Sequence, residues 1–99
     1  MNIQALMKQA QAMQKNIMDS KKKIEEMTFE GNSELVLIKM NGKREVISVK
    51  IKDDVSLEKD DVEILEDMIA IAVNDALKKI EKEINSKLGS QAGPLGNLL

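Results

Sequence analysis

Carboxylates and lysines are the only abundant side chains capable of chemistry in this 99-residue chain. Asp53-Asp54 and Asp60-Asp61 are the paired acids that could hold a hard cation or share acid/base work. Neither pair has the alternating oxygen ligands and central glycine of a calcium loop. There is no His, Cys, Trp or Tyr to complete a zinc site, a thiol nucleophile or a Ser-His-Asp triad. The six serines therefore have no activating partner. The acids read better as helix-start charge, and the expectation is a binding protein: not an enzyme, with no cofactor and no metal.

The lysines are more informative. Lys8, Lys15 and Lys22 recur every seven residues, Lys21 and Lys23 flank the last of them, and Lys78, Lys79 and Lys82 form a second group. Cations in a row can track phosphates, although the plainer reading of such a row is a solvated helix face. Lys78 and Lys82 are a like-charge i,i+4 pair, a small cost that an anionic partner would relieve. A DNA partner would be met in a restricted way. The lone arginine, Arg44, leaves little capacity for bidentate guanine readout, and the lone aromatic, Phe29, leaves no stacking platform for single strands. Contacts would go to the duplex backbone, largely without regard to sequence. Gln4, Gln9, Gln11 and Gln14 could touch base edges, but short amides on a projecting helix are more often solvated.

The formal net charge of −2 argues against nucleic acid until its distribution is considered. Residues 1–27 carry five lysines against three acids, residues 28–52 five basic against three acidic residues, and residues 53–99 five basic against eleven acidic. Eight of those eleven acids lie within residues 53–67, so the chain is polarised.

The lysine row needs an element to hold it in line. Ile3, Leu6, Ala10, Met13, Ile17, Ser20, Ile24 and Met27 alternate in steps of three and four, a 3.5-residue period over nearly four heptads. That stripe predicts a helix whose narrow seam meets a partner helix, with the dimer contact assigned to Ile3, Leu6, Ala10, Met13, Ile17, Ile24 and Met27. Ser20 interrupts it at a d position. With Ile3 at position a, Lys8, Lys15 and Lys22 fall at f, opposite the seam. The helix would run roughly 40 Å, more than a chain of this size needs to cover its own core, so part of it projects. The methionines could form an adaptable peptide groove, but Met13 and Met27 at d positions favour packing.

The period then changes to two. Val36, Ile38 and Met40 share a face, as do Glu45, Ile47, Val49 and Ile51, and Asn41-Gly42 between them signals a β-hairpin. A two-residue or a four-residue loop puts Val36, Ile38, Ile47 and Val49 on one side, whereas a three-residue loop splits them and is rejected. Residues 28–33 read as a candidate third strand around Phe29, with Gly31 marking a bulge or bend. After a polar connector over 53–59, Asp60 with Glu63 looks like a helix cap and its capping-box partner. The second helix carries Val62, Leu65, Ile69, Val73, Ala76, Ile80 and Ile84, widened early by Ile64, Met68, Ile71, Ala72 and Leu77, which predicts broad burial that tapers. Gly89 is expected to stop it, leaving 89–99 as a Gly/Pro-containing mobile tail.

These elements make an α+β domain over 1–88: a long helix, a small antiparallel sheet and a second long helix. The length allows one domain, and an aliphatic core this small often gains stability by oligomerising. No run approaches the ~18 apolar residues of a membrane span and no leader opens the chain, so a soluble cytoplasmic protein is expected.

Three stretches in this order resemble the YbaB/EbfC family of bacterial nucleoid-associated proteins. They are Leu6-Met7-Lys8-Gln9-Ala10-Gln11-Ala12-Met13-Gln14, Leu35-Val36 through Asn41-Gly42 to Val46 and Val49-Lys50-Ile51, and Leu65-Glu66-Asp67 with Ala72-Val73-Asn74-Asp75-Ala76. The likeness covers residues 3 to about 88, and Gly93-Pro94 is similar to the family's tail. It implies a tweezer-like homodimer in the nucleoid with double-stranded DNA as ligand, and it leaves open a protein of the replication or repair machinery as a further partner. Lys8, Lys15, Lys21, Lys22, Lys23, Lys78, Lys79 and Lys82 are then the candidate phosphate contacts. Two rival readings are a coiled-coil adaptor, which would use the seam and ignore the lysines, and a prefoldin-like chaperone subunit, whose two helices should show matching heptads.

Overall fold

A computed structural model describes residues 2–52 and 57–92. Asp53 and Asp54 and most of the expected tail, residues 93–99, lie outside the described residues. The elements run α1 (Ile3–Glu26), β1 (Thr28–Asn32), β2 (Val36–Asn41), β3 (Val46–Ile51), a 3-10 turn (Lys59–Asp61) and α2 (Val62–Ala92). The expected α+β order, third strand included, is what the chain adopts.

Helix α1 begins where the Asn2 side chain accepts the amides of Gln4 at 3.1 Å and Ala5 at 3.4 Å, two donors that a helix start leaves unpaired. Residues 2–16 are exposed throughout, so the first half of α1 projects as an arm. Only from Ile17 does the helix meet the rest of the chain, and Ile24 is buried. The described fold measures 71 × 20 × 15 Å.

The sheet order is β1-β2-β3, all antiparallel. Alternation decides what is buried: Phe29 and Gly31 on β1 and Val36, Ile38 and Met40 on β2 point under α2. The hairpin corrects the expected loop. Gly42, Lys43 and Arg44 form the three-residue loop that parity had excluded, with the Arg44 amide donating to the Asn41 carbonyl at 3.0 Å and the Asn41 amide to the Glu45 carbonyl at 3.0 Å. Parity is restored by a β-bulge: Lys39 pairs with Ser48 but Met40 with Val46, so Ile47 is the extra residue. Val49 and Ile51 return to the side of Ile38 and Val36 because the bulge adds the one residue the loop lacks.

Gly31 is not a bulge or bend, since β1 pairs with β2 without interruption. A Cβ there would lie 1.9 Å from the Ala72 carbonyl oxygen and 2.8 Å from the Ala76 Cβ. Gly31, Ala72 and Ala76 are the small residues that let α2 lie directly on the sheet. One core cluster joins Ile24, Phe29, Met40, Ala76, Ile80, Ile84 and Leu88, and a second joins Val36, Ile38 and Ala72, with Leu65, Met68, Ile69 and Val73 along their edges.

Helix α2 starts differently from expectation. The 3-10 turn precedes it, and the side chain that reaches back is Asp61, accepting the Glu58 amide at 2.9 Å, in place of the Asp60 and Glu63 pair. Gly89 does not end it: the helix continues to Ala92. A single glycine within a helix costs about 1 kcal/mol relative to alanine, which weakens the helix without obliging it to stop.

Candidate nucleic-acid interface

The seam and the lysine row can be located on this frame. Ile17 and Ile24 face Ile80, Ile84 and Leu88 of α2 in the same chain, so the carboxyl-terminal half of the seam is met internally. Ile3, Leu6, Ala10 and Met13 on the arm are exposed, and so is Met27 at the helix exit. Helix periodicity then directs Lys8, Lys15 and Lys22 away from α2. All three are exposed, as are Lys21, Lys23, Lys78 and Lys82.

Lys79 is different. Its ammonium donates to the Glu30 carbonyl of β1 at 2.7 Å and lies 3.2 Å from the Asp75 carboxylate. Asp75 in turn accepts the Asn32 amide at 2.9 Å. This bond, and next the contact with Lys79, hold the Asp75 carboxyl below the ordinary aspartate value. The two residues clamp α2 to the edge strand β1. Nothing in the sequence distinguished Lys79 from Lys78 or Lys82, because the distinction lies in which side of α2 faces β1.

Two cations outside the candidate set become prominent. Lys43 and Arg44 at the hairpin tip, together with Lys21 of α1, line a cleft of about 220 Å³ between the end of α1, the hairpin and α2, which Glu25, Ile24, Gly42, Ile84 and Leu88 complete. The Asn41-Gly42 signal could have pointed here, but only the packing shows why Gly42 is needed. A Cβ on Gly42 would sit 1.9 Å from the Ile24 carbonyl oxygen, so glycine is what allows the tip to rest on α1.

Strand β3 forms the other open surface. Helix α2 lies over β1 and β2 and leaves β3 uncovered. Val46, Ile47, Val49 and Ile51 are consequently exposed, Val49 by 54%, although Val49 pairs with the fully buried Ile38. Val62, Ile64 and Ile71 on α2 are also exposed. Among the described residues no group of three acidic side chains could hold a metal ion, and no helix is long and apolar enough to cross a membrane.

Comparison with known proteins bears on this arrangement. A model of the YbaB/EbfC DNA-binding family matches residues 1–95. A nucleoid-associated protein of Lachnoclostridium phytofermentans is 46% identical over 98 residues, covering 97% of this chain and 82% of the relative. One from Lactococcus lactis is 46% identical over 91 residues, covering 90% of this chain and 91% of the relative. A third, from Legionella pneumophila, is 44% identical over 89 residues, with 88% and 78% covered.

Proposed function

This chain belongs to the YbaB/EbfC DNA-binding family, and from that premise we propose that it is a nucleoid-associated homodimer, not an enzyme, that binds duplex DNA through its phosphate backbone. Its role on this reading is nucleoid organisation or gene regulation, with little dependence on base sequence. The observation that carries the reading is the row Lys8, Lys15 and Lys22. These three are exposed and without an anionic partner among the described residues. At 1.5 Å per helical residue they stand ~10.5 Å apart along the outer face of the arm. Lys21, Lys23, Lys78 and Lys82 supplement the row, while the donors of Lys79 are engaged with β1 and Asp75.

Indifference to sequence follows from the residue types. One arginine and one aromatic in the chain favour contacts with phosphates over base edges. Dimerisation is supported by the open side of β3: an edge strand whose apolar residues continue the plane of the core, beside the half-buried Leu65 and Met68 of α2. A second copy placed about a two-fold axis would cover that side with its own equivalent. The exposed seam residues of the arm, Ile3, Leu6, Ala10 and Met13, supply a further apolar stripe.

The test is anisotropy of a labelled ~30-bp duplex across a salt series. A log-log slope of several units, shared by duplexes of unrelated sequence, is expected from backbone contacts. No binding at low salt would overturn the reading and favour a protein partner for the seam.

A further inference from the structure

Arg44 has φ of 67°, the left-handed conformation, at the last position of the hairpin loop. A three-residue loop built from a type I turn ends in that conformation, and glycine is the residue that adopts it without cost. Local stability therefore favours glycine or asparagine at position 44 over a long β-carbon-bearing cation. Among the described residues nothing compensates for the arginine: its side chain is exposed and has no partner there. Strain retained without an internal contact to justify it points to an external ligand.

The surroundings say which chemistry. The loop is held rigidly, because the Asn41 side-chain oxygen accepts the amides of Lys43 at 2.9 Å and Glu45 at 3.1 Å, and its amide donates to the Glu45 carboxylate at 2.8 Å. Gly42 lets this loop rest on the end of α1, which brings Lys21 to the same cleft as Lys43 and Arg44. Three exposed cations from two elements line it together with one half-buried carboxylate, Glu25, so the charge of the cleft is net positive. Glu45, the other nearby acid, is already engaged by Asn41. Lys21 also adjoins Lys22, so the cluster continues the cationic row of the arm towards the sheet.

We propose that Arg44, Lys43 and Lys21 form a phosphate-binding cradle for duplex DNA at the base of the arm, with Arg44 as its directional donor. The proposal rests on the duplex-binding reading above and extends the contact from one helix face to the hairpin tip. A planar guanidinium can give two parallel hydrogen bonds to one phosphate, which the lysines of the row cannot. A preorganised tip loses little freedom on binding.

Arg44→Gly is the decisive variant, since glycine suits the left-handed position and removes the charge without endangering the loop. Wild type, Arg44→Gly, Arg44→Lys and Lys43→Gln/Arg44→Gly are compared by duplex anisotropy across a salt series, with thermal melts as the control for folding. Each lost contact should lower the salt slope by about 0.9. The expected result is a slope lower by about one for Arg44→Gly and by about two for the double variant, with melting temperature equal or higher. Arg44→Lys should keep the slope and lose affinity, because the charge stays and the forked geometry goes. If wild type binds duplex and both glycine variants keep its slope and affinity, the cradle is wrong while the arm reading stands, and an acidic protein surface becomes the better ligand. If wild type does not bind duplex, both fall together.

Discussion

The backbone amide of Asn32, the last residue of β1, donates to the carboxylate of Asp75 on α2 at 2.9 Å. An edge strand exposes unpaired amides, and here a helix side chain satisfies one of them and fixes the helix to the sheet margin. Lys79 completes the clamp through Glu30 one residue pair back along β1.

Acid should loosen this clamp. The bond from Asn32, then the contact with Lys79, depress the Asp75 pKa below its ordinary value of 3.8. A carboxylate depressed on folding contributes stability that is fully present above the unfolded pKa and is lost as pH falls through the folded one. Asp75→Asn should therefore melt below wild type at pH 7, with the difference shrinking as the pH falls below 3.8. A difference that stays constant from pH 7 to pH 2 would show that the carboxylate charge does not matter.

Gly31→Ala should be costly for a different reason. The added methyl would meet the Ala72 carbonyl oxygen at 1.9 Å, which is backbone and cannot rotate away. Relief requires α2 to lift from β1 and β2, and forced overpacking of this kind costs about 1–3 kcal/mol. For a domain near this size each kilocalorie is worth roughly 4–8 °C of melting temperature. Gly89→Ala is the control: open space surrounds that position, and alanine should stabilise the helix slightly. Equal melting temperatures for the two variants would refute the close-approach account of Gly31.

Much of the frame was legible because periodicity reports burial directly. The 3.5-residue stripe from Ile3 to Met27 specified α1, and the two-residue period of Val36, Ile38 and Met40 specified β2 and its buried face. The loop was misread because parity was counted without the Ile47 bulge, a compensation one strand makes for the other and no local pattern announces. Gly31 was misread because its constraint comes from Ala72 and Ala76, about forty residues away. Within the candidate site, exposure of the lysine row followed from heptad position. The commitment of Lys79 to β1, and the meeting of Lys21 with Lys43 and Arg44, depend on how separate elements pack.

Charge reversal separates the arm from the clamp. Lys15→Glu with Lys22→Glu places four units of charge change on the outer face of α1, away from every core contact, and should abolish duplex binding while leaving the melting temperature near wild type. Lys79→Gln should do the opposite, lowering the melting temperature while leaving the salt slope unchanged. Unchanged duplex binding by the double reversal would remove Lys15 and Lys22 from the interface.

Val49→Asp tests the open side of β3. In the single chain Val49 is 54% exposed, so an aspartate there keeps its water and the protomer should fold. In a dimer that covers this side the same carboxylate is buried without a cation, a penalty of about 3–5 kcal/mol, or roughly two to four orders of magnitude in dissociation constant. Ile38, its cross-strand partner, is 1% exposed, and Ile38→Asp should instead unfold the chain. Sedimentation should show wild type as a dimer and Val49→Asp as a folded monomer with unaltered helical circular dichroism. A Val49→Asp dimer as tight as wild type would place the contact elsewhere, and Leu6→Asp on the exposed half of the arm seam would then be the variant expected to break it.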